Sequence, residues 1–243
     1  MEPGSVLATI PKIIATHTGK MTYNYLASRV KERIERNWKL MSKYMGEKVD
    51  QGDPLRNDWF AENEVLNNRV PFGLLEKTIR EISNDSEERK SPHIAKFWVN
   101  ICLTSNADID EATAFSYLET IESLSWRQLC IIRIIALNKN KKIDRHSKIS
   151  DEKVENLSDD QRMKFHAIGR EYQELMENHY IDGTTMPHVS SQDKWNREPW
   201  LDAPELWGMP NYTKRLHDLM DLNEISDREI TETFSIWGVK LKN

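Results

Sequence analysis

The residues that most constrain this chain run from Leu129 to Leu137, where every position except Arg133 is apolar. A helix that is apolar all round has no face to offer water, yet this run is far shorter than the roughly 20 residues that span a bilayer. Such a helix belongs at the centre of a helical core. A start signal precedes it, because Ser125 and Gln128 have the spacing of a capping box. The stretch upstream keeps the same helical period. Ser91-Pro92 reads as an N-cap followed by proline, which has no amide hydrogen to leave orphaned. Ile94, Phe97, Trp98, Ile101 and Cys102 then fall on one face. Asp108 to Glu111 reads as another capping box, with Ala112, Phe115, Leu118 and Ile121 expected to turn inward.

Helical patterning extends in both directions. A long amphipathic helix is expected from Met21 to Met45, with Leu26, Val30, Ile34, Trp38, Met41 and Met45 on its apolar face and Gly46 as its stop. That face needs a partner helix, in this chain or a second copy, so the 21–45 helix leaves homo-oligomerisation open. Asp53-Pro54 and Val70-Pro71 read as two further starts, the first with Leu55, Trp59 and Leu66 inward, the second with Phe72, Leu75, Ile79 and Ile82. Beyond the core, Ser158 and Gln161 form a capping box for a helix carrying Phe165, Ile168, Tyr172, Leu175 and Met176. Tyr212 to Leu222 and a segment capped by Ser226 and Glu229 follow. The expected organisation is an N-terminal arm (1–19), a helical body (20–138), a basic linker (139–157) and a C-terminal lobe (158–243). The fold class is mainly α: a multi-helix body with a C-terminal lobe that resembles an elaborated winged helix.

The net charge of −5 argues against a globally basic nucleic-acid binder, but charge is distributed unevenly. Residues 20–48 hold eight Lys/Arg against three Glu, and residues 139–148 hold five against Asp144. Lys139, Lys141, Lys142, Arg145 and Lys148, with Arg29, Arg33 and Arg36, are therefore the candidate nucleic-acid contacts, against the plainer reading of a solvated face. Cys102 and Cys130 sit on apolar faces and read as reduced, buried thiols. The first residues make a poor signal peptide and no later run reaches membrane-span length, so a soluble, cytoplasmic protein is expected.

Nothing in the sequence makes a catalytic case. The glycines are isolated, leaving no phosphate cradle, and no two histidines stand three or four residues apart. His217 with Asp221 has helical pair spacing, which suits acid/base chemistry but also an ordinary surface pair. An enzyme would have to assemble its site from residues such as His166, His217 and Asp221. Asp108, Asp110 and Glu111 are accounted for by helix capping. The sequence calls for no cofactor and no metal.

Two features are less easily dismissed. Trp195, Trp200 and Trp207 lie with Arg197 in a long stretch without helical period. Tryptophan and arginine dominate binding hot spots, although the same rings also serve loops that lie flat on a body. The other is the helix order. The run RVPFGLLEKTIREISNDSEERKSPHIAKFWVNIC (69–102), the Leu124-Ser125 turn, YQELMENHYIDG (172–183) and NYTKRLHDLMDL (211–222) together resemble the Abi-alpha-like helical proteins of bacterial abortive phage infection. The resemblance spans about residues 20–222 and rests on apolar spacing and turns. It implies an all-helical bacterial defence protein and carries no active-site residues across. The expected function is a non-enzymatic module that binds a protein partner through Trp195, Arg197, Trp200 and Trp207. The alternative is a nucleic-acid-binding regulator using the basic 139–148 segment.

Overall fold

The computed structural model describes residues 17–56, 58, 70–84, 87–139, 156–183 and 207–237. It is mainly α-helical, and the chain divides into two compact units, Met1–Ser123 and Leu124–Asn243.

The first unit holds α1 (His17–Asp50), α2 (Val70–Asn84), α3 (Ser91–Ile101) and α4 (Glu111–Ser123). Helices α1 and α2 both pack on α3 and on each other, and α2 also packs on α4. The predicted face of α3 is buried, and so is nearly everything else on it, including His93, Lys96 and Asn100. Lys96 places its Nζ 4.9 Å from the centre of the Tyr44 ring on α1, so its charge is met by an aromatic face. The helix starts one residue earlier than the cap signal indicated. Lys90 is the N-cap and Ser91 is already helical, making no side-chain cap bond. Turn bonds from the Lys90 and Ser91 amides to the Glu87 and Glu88 carbonyls satisfy the backbone there instead.

Four expectations for this unit need correction. Helix α1 runs through Gly46 and stops at Asp50, where Gly52 takes φ +86°. The Gly52 amide donates to the Val49 carbonyl and the Asp53 amide to the Lys48 carbonyl, a Schellman closure that requires the left-handed residue at position 52. Asp53-Pro54 starts no helix. It runs beside residues 102–104, with Leu55 bridged to Leu103 and half exposed. Asp110, not Asp108, caps α4, accepting from the Thr113 amide at 2.7 Å. The buried face of α4 is Ala114, Tyr117, Leu118 and Ile121. A strict three-residue series drifts about 60° per step on a helix of 3.6 residues per turn, which puts Ala112 opposite Ile121.

The second unit is built around α5 (Trp126–Lys139). Helices α6 (Asp159–Glu177), α7 (Asn211–Leu219) and α8 (Asp227–Phe234), with the 3₁₀ turn Leu222–Glu224, all pack against it. Surrounded in this way, Leu129 to Ile135 and Leu137 are buried, as the all-apolar pattern demands. Capping boxes close at all three predicted places. Ser125 and Gln128 exchange bonds of 2.8 and 3.1 Å, Ser158 and Gln161 do the same, and so do Ser226 and Glu229. Helix α6 ends with His179 at φ +58°, closed by bonds from the His179 amide to Met176 and from the Tyr180 amide to Leu175. A two-residue antiparallel ladder follows, β1 (Asp182–Gly183) with β2 (Trp207–Gly208). Apart from this ladder the described part of the lobe is helical.

Candidate interaction sites

The predicted partner-binding residues Trp195, Arg197 and Trp200 lie outside the described residues. Trp207 lies at their border, its backbone paired with Gly183 in the ladder. What the structure describes is the base from which residues 184–206 depart and to which they return. Asp182 stands opposite Gly208, and Gly183 opposite Trp207, so the two ends of that segment lie side by side. Gly208 suits this pairing because a Cβ there would come within 3.1 Å of Asp182 Cβ. The base is tied down from both sides. Thr213 at the start of α7 donates its hydroxyl to the Tyr180 carbonyl at 2.6 Å, and the Tyr180 and Tyr212 rings stack with centres 6.5 Å apart. Ile181, just before the ladder, is buried.

Of the alternative nucleic-acid contacts, Lys139 is the last residue of α5, and Lys141, Lys142, Arg145 and Lys148 lie outside the described residues. Arg33 and Arg36 are on α1, within 3.7 and 3.6 Å of the same carboxylate, Glu88. Arg29 is also on α1.

His217 is not a surface residue. It is buried on the inner face of α7, with Nδ1 3.0 Å from Asp218 Oδ1. The predicted partner Asp221 sits beyond the helix end with φ +49°, where it closes α7. Aspartate tolerates the left-handed region better than most residues. Close enough for its charge to act on His217 is Arg133 on the packed helix α5, the single polar residue of the apolar run, which donates from Nη1 to Asn223 Oδ1 at 2.7 Å. His217 Nε2 and Arg133 Nε are both buried without a hydrogen-bond partner among the described residues. Burial holds the His217 pKa below its ordinary value, the Asp218 bond and charge oppose that shift, and the Arg133 charge reinforces it. His166 is exposed on α6, its ring edge-on to Phe165. The structure therefore brings His217 to Arg133, a pairing the sequence did not suggest. The one available signal was a lone arginine in an otherwise apolar helix, which must find polar company within the core.

In the first unit the corresponding buried cation is Arg56, which sequence reading passed over. Its side chain is fully buried. It clasps Asp58 through Nε and Nη2, and donates to the carbonyls of Ile101, Asn106, Ala107 and Ile109 at 2.9–3.4 Å. Five carbonyl and carboxylate partners in fixed positions make this a structural hub. Cys102, next to it, donates its thiol to the Trp98 carbonyl, and burial pushes its pKa well above the ordinary thiol range. That is the opposite of what a nucleophile needs.

Among the described residues no group of three His, Cys, Asp or Glu side chains is placed to hold a metal ion, and no helix is long and apolar enough to cross a membrane. Comparison with known proteins finds no family model, no curated protein and no solved structure that matches the chain.

Proposed function

We propose that this protein is a non-enzymatic interaction module that binds a protein partner through residues 184–206, with Trp195, Arg197, Trp200 and Trp207 as its contacts. The observation that carries this reading is the ladder at Asp182–Gly183 and Trp207–Gly208, which joins both ends of the segment to one hydrogen-bonded base. A binding segment on a rigid base loses less conformational entropy on association than one on a free tail. Segments longer than about 12–15 residues without periodic structure are commonly functional. The proposed setting is bacterial defence against phage, and that part of the reading rests on the resemblance of the helix order alone.

The test replaces residues 186–204 with a short Gly-Ser bridge and, separately, makes Trp200→Ala. Both variants are expected to keep the wild-type melting temperature within about 2 °C, since the ladder remains, and to lose a partner recovered from host cells by pull-down. They should also lose any protection the intact gene confers in a phage plating assay. A collapsed melting curve for Trp200→Ala would place that ring in the core and end the proposal. Tight duplex or single-stranded nucleic-acid binding that falls steeply with salt, and is abolished by Lys139→Glu, Lys141→Glu and Lys142→Glu, would replace it with the regulator reading.

A further inference from the structure

Helix α1 and the start of α3 enclose an open groove of about 420 Å³ in the first unit. Its floor is largely apolar, formed by Leu40 with Pro92 beside Ser91. Its rim is cationic. Arg36, Lys39 and Lys43 follow one another at helical spacing along one flank of α1. The acid in the groove, Glu88, already lies within 3.7 Å of Arg33 and 3.6 Å of Arg36. Among the described residues, the ion pair Lys43 makes is with an exposed i,i+4 neighbour, Glu47, at 3.6 Å, a contact of little strength in water. Lys39 makes no ion pair among the described residues.

One further feature points to a hydrogen-bond acceptor arriving from outside. Asn37, part of the groove lining, is 1% exposed, and its Nδ2 donor has no hydrogen-bond partner among the described residues. Buried donors left unsatisfied are uncommon in folded proteins and call for an explanation. Nucleic acid fits poorly, because single strands are held by aromatic stacking platforms and this floor offers a leucine and a proline. An apolar floor under a cationic rim complements a peptide that carries an apolar side chain between carboxylates.

We propose that this groove docks an acidic peptide segment of a protein partner, with one apolar side chain on Leu40 and Pro92, a hydrogen-bond acceptor at Asn37 and carboxylates along Lys39 and Lys43. The site stands independently of residues 184–206. The test selects peptides from a random displayed library on the full-length protein. The selected sequences are then measured by fluorescence anisotropy against Lys39→Glu, Lys43→Glu and Asn37→Leu variants. The expected result is a consensus of Asp and Glu flanking Leu, Phe or Met, with affinity reduced about tenfold or more by each charge reversal. Lys39 and Lys43 are exposed, so those two variants keep the wild-type melt even if Asn37→Leu does not. A consensus without acids, binding indifferent to both reversals, or competition by a single-stranded oligonucleotide as strong as by the acidic peptide itself would overturn the proposal.

Discussion

Arg56 and His217 show how much single buried polar residues decide here. Arg56 gathers the carbonyls at the end of α3 and in the turn after it, so replacing it takes the donor from the Ile101, Ala107 and Ile109 carbonyls and the charge partner from Asp58, while the Asn106 carbonyl keeps the Ile109 amide. Arg56→Met should cost roughly 3–5 kcal/mol in urea unfolding, because the Ile101 and Ile109 carbonyls stay buried after their donor has gone. Asp58→Ala, which leaves the carbonyl bonds in place, should cost clearly less. His217 acts through protons. Its folded pKa is held below the ordinary value of 6.5, so the unfolded chain takes up a proton that the folded chain refuses. Stability from this residue is thus complete above about pH 6.5 and declines as pH falls towards the lowered folded value. A urea midpoint measured from pH 7.5 to 5 should fall, and His217→Gln should flatten part of that slope. An unchanged slope would mean that other groups carry the acid sensitivity. Neither Arg56 nor the Arg133–His217 pairing was legible in the sequence. The carbonyls that Arg56 satisfies lie 45 to 53 residues away, and no local pattern encodes a contact at that distance.

Whole elements were legible where their signals are local. The boxes at Ser125, Ser158 and Ser226 closed as read because each needs only residues three apart. Ser226→Ala should therefore cost about 1 kcal/mol in thermal or chemical melts. At Asp108 and Asp110 two equally suitable residues competed for one cap, and spacing alone could not choose between them. The rotation of α1 was also hidden. Its predicted apolar face included both Trp38 and Met41, but Met41 is buried whereas Trp38 is 50% exposed. The helix instead turns Asn37 and Tyr44 towards α3, the latter to meet the buried Lys96 charge. Met41→Ala should accordingly cost about 2–4 kcal/mol, whereas Trp38→Ala should stay within about 0.5 kcal/mol. Equal losses would show that Trp38 is covered in solution. The groove beside Asn37 escaped the sequence reading for a related reason. Its walls come from α1 and from the start of α3, and a pattern read along one helix cannot show where two helices part.

At the scale of the molecule, composition placed the boundary of the N-terminal body in the basic run after Asn138, whereas the compact units divide between Ser123 and Leu124. Charge marks a stretch that solvent will accept, but a domain is defined by which apolar surfaces bury one another. The apolar run Leu129–Leu137 looks like the natural end of the body that precedes it in sequence. Its burial, however, comes with α6, α7, the 222–224 turn and α8 packed around it. These alternatives predict different fragments. Residues 124–243 retain the Ser125 cap, α5 and every element just named as packing on it, and should give a helical circular dichroism spectrum with a cooperative melt. Residues 139–243 lack the helix on which the other three are assembled, leaving Phe165, Tyr172, Leu216 and Phe234 without the centre they pack around. That fragment should be poorly structured and melt without a transition. If it melts cooperatively while 124–243 does not, α5 belongs with the preceding helices, and the basic run is the true junction.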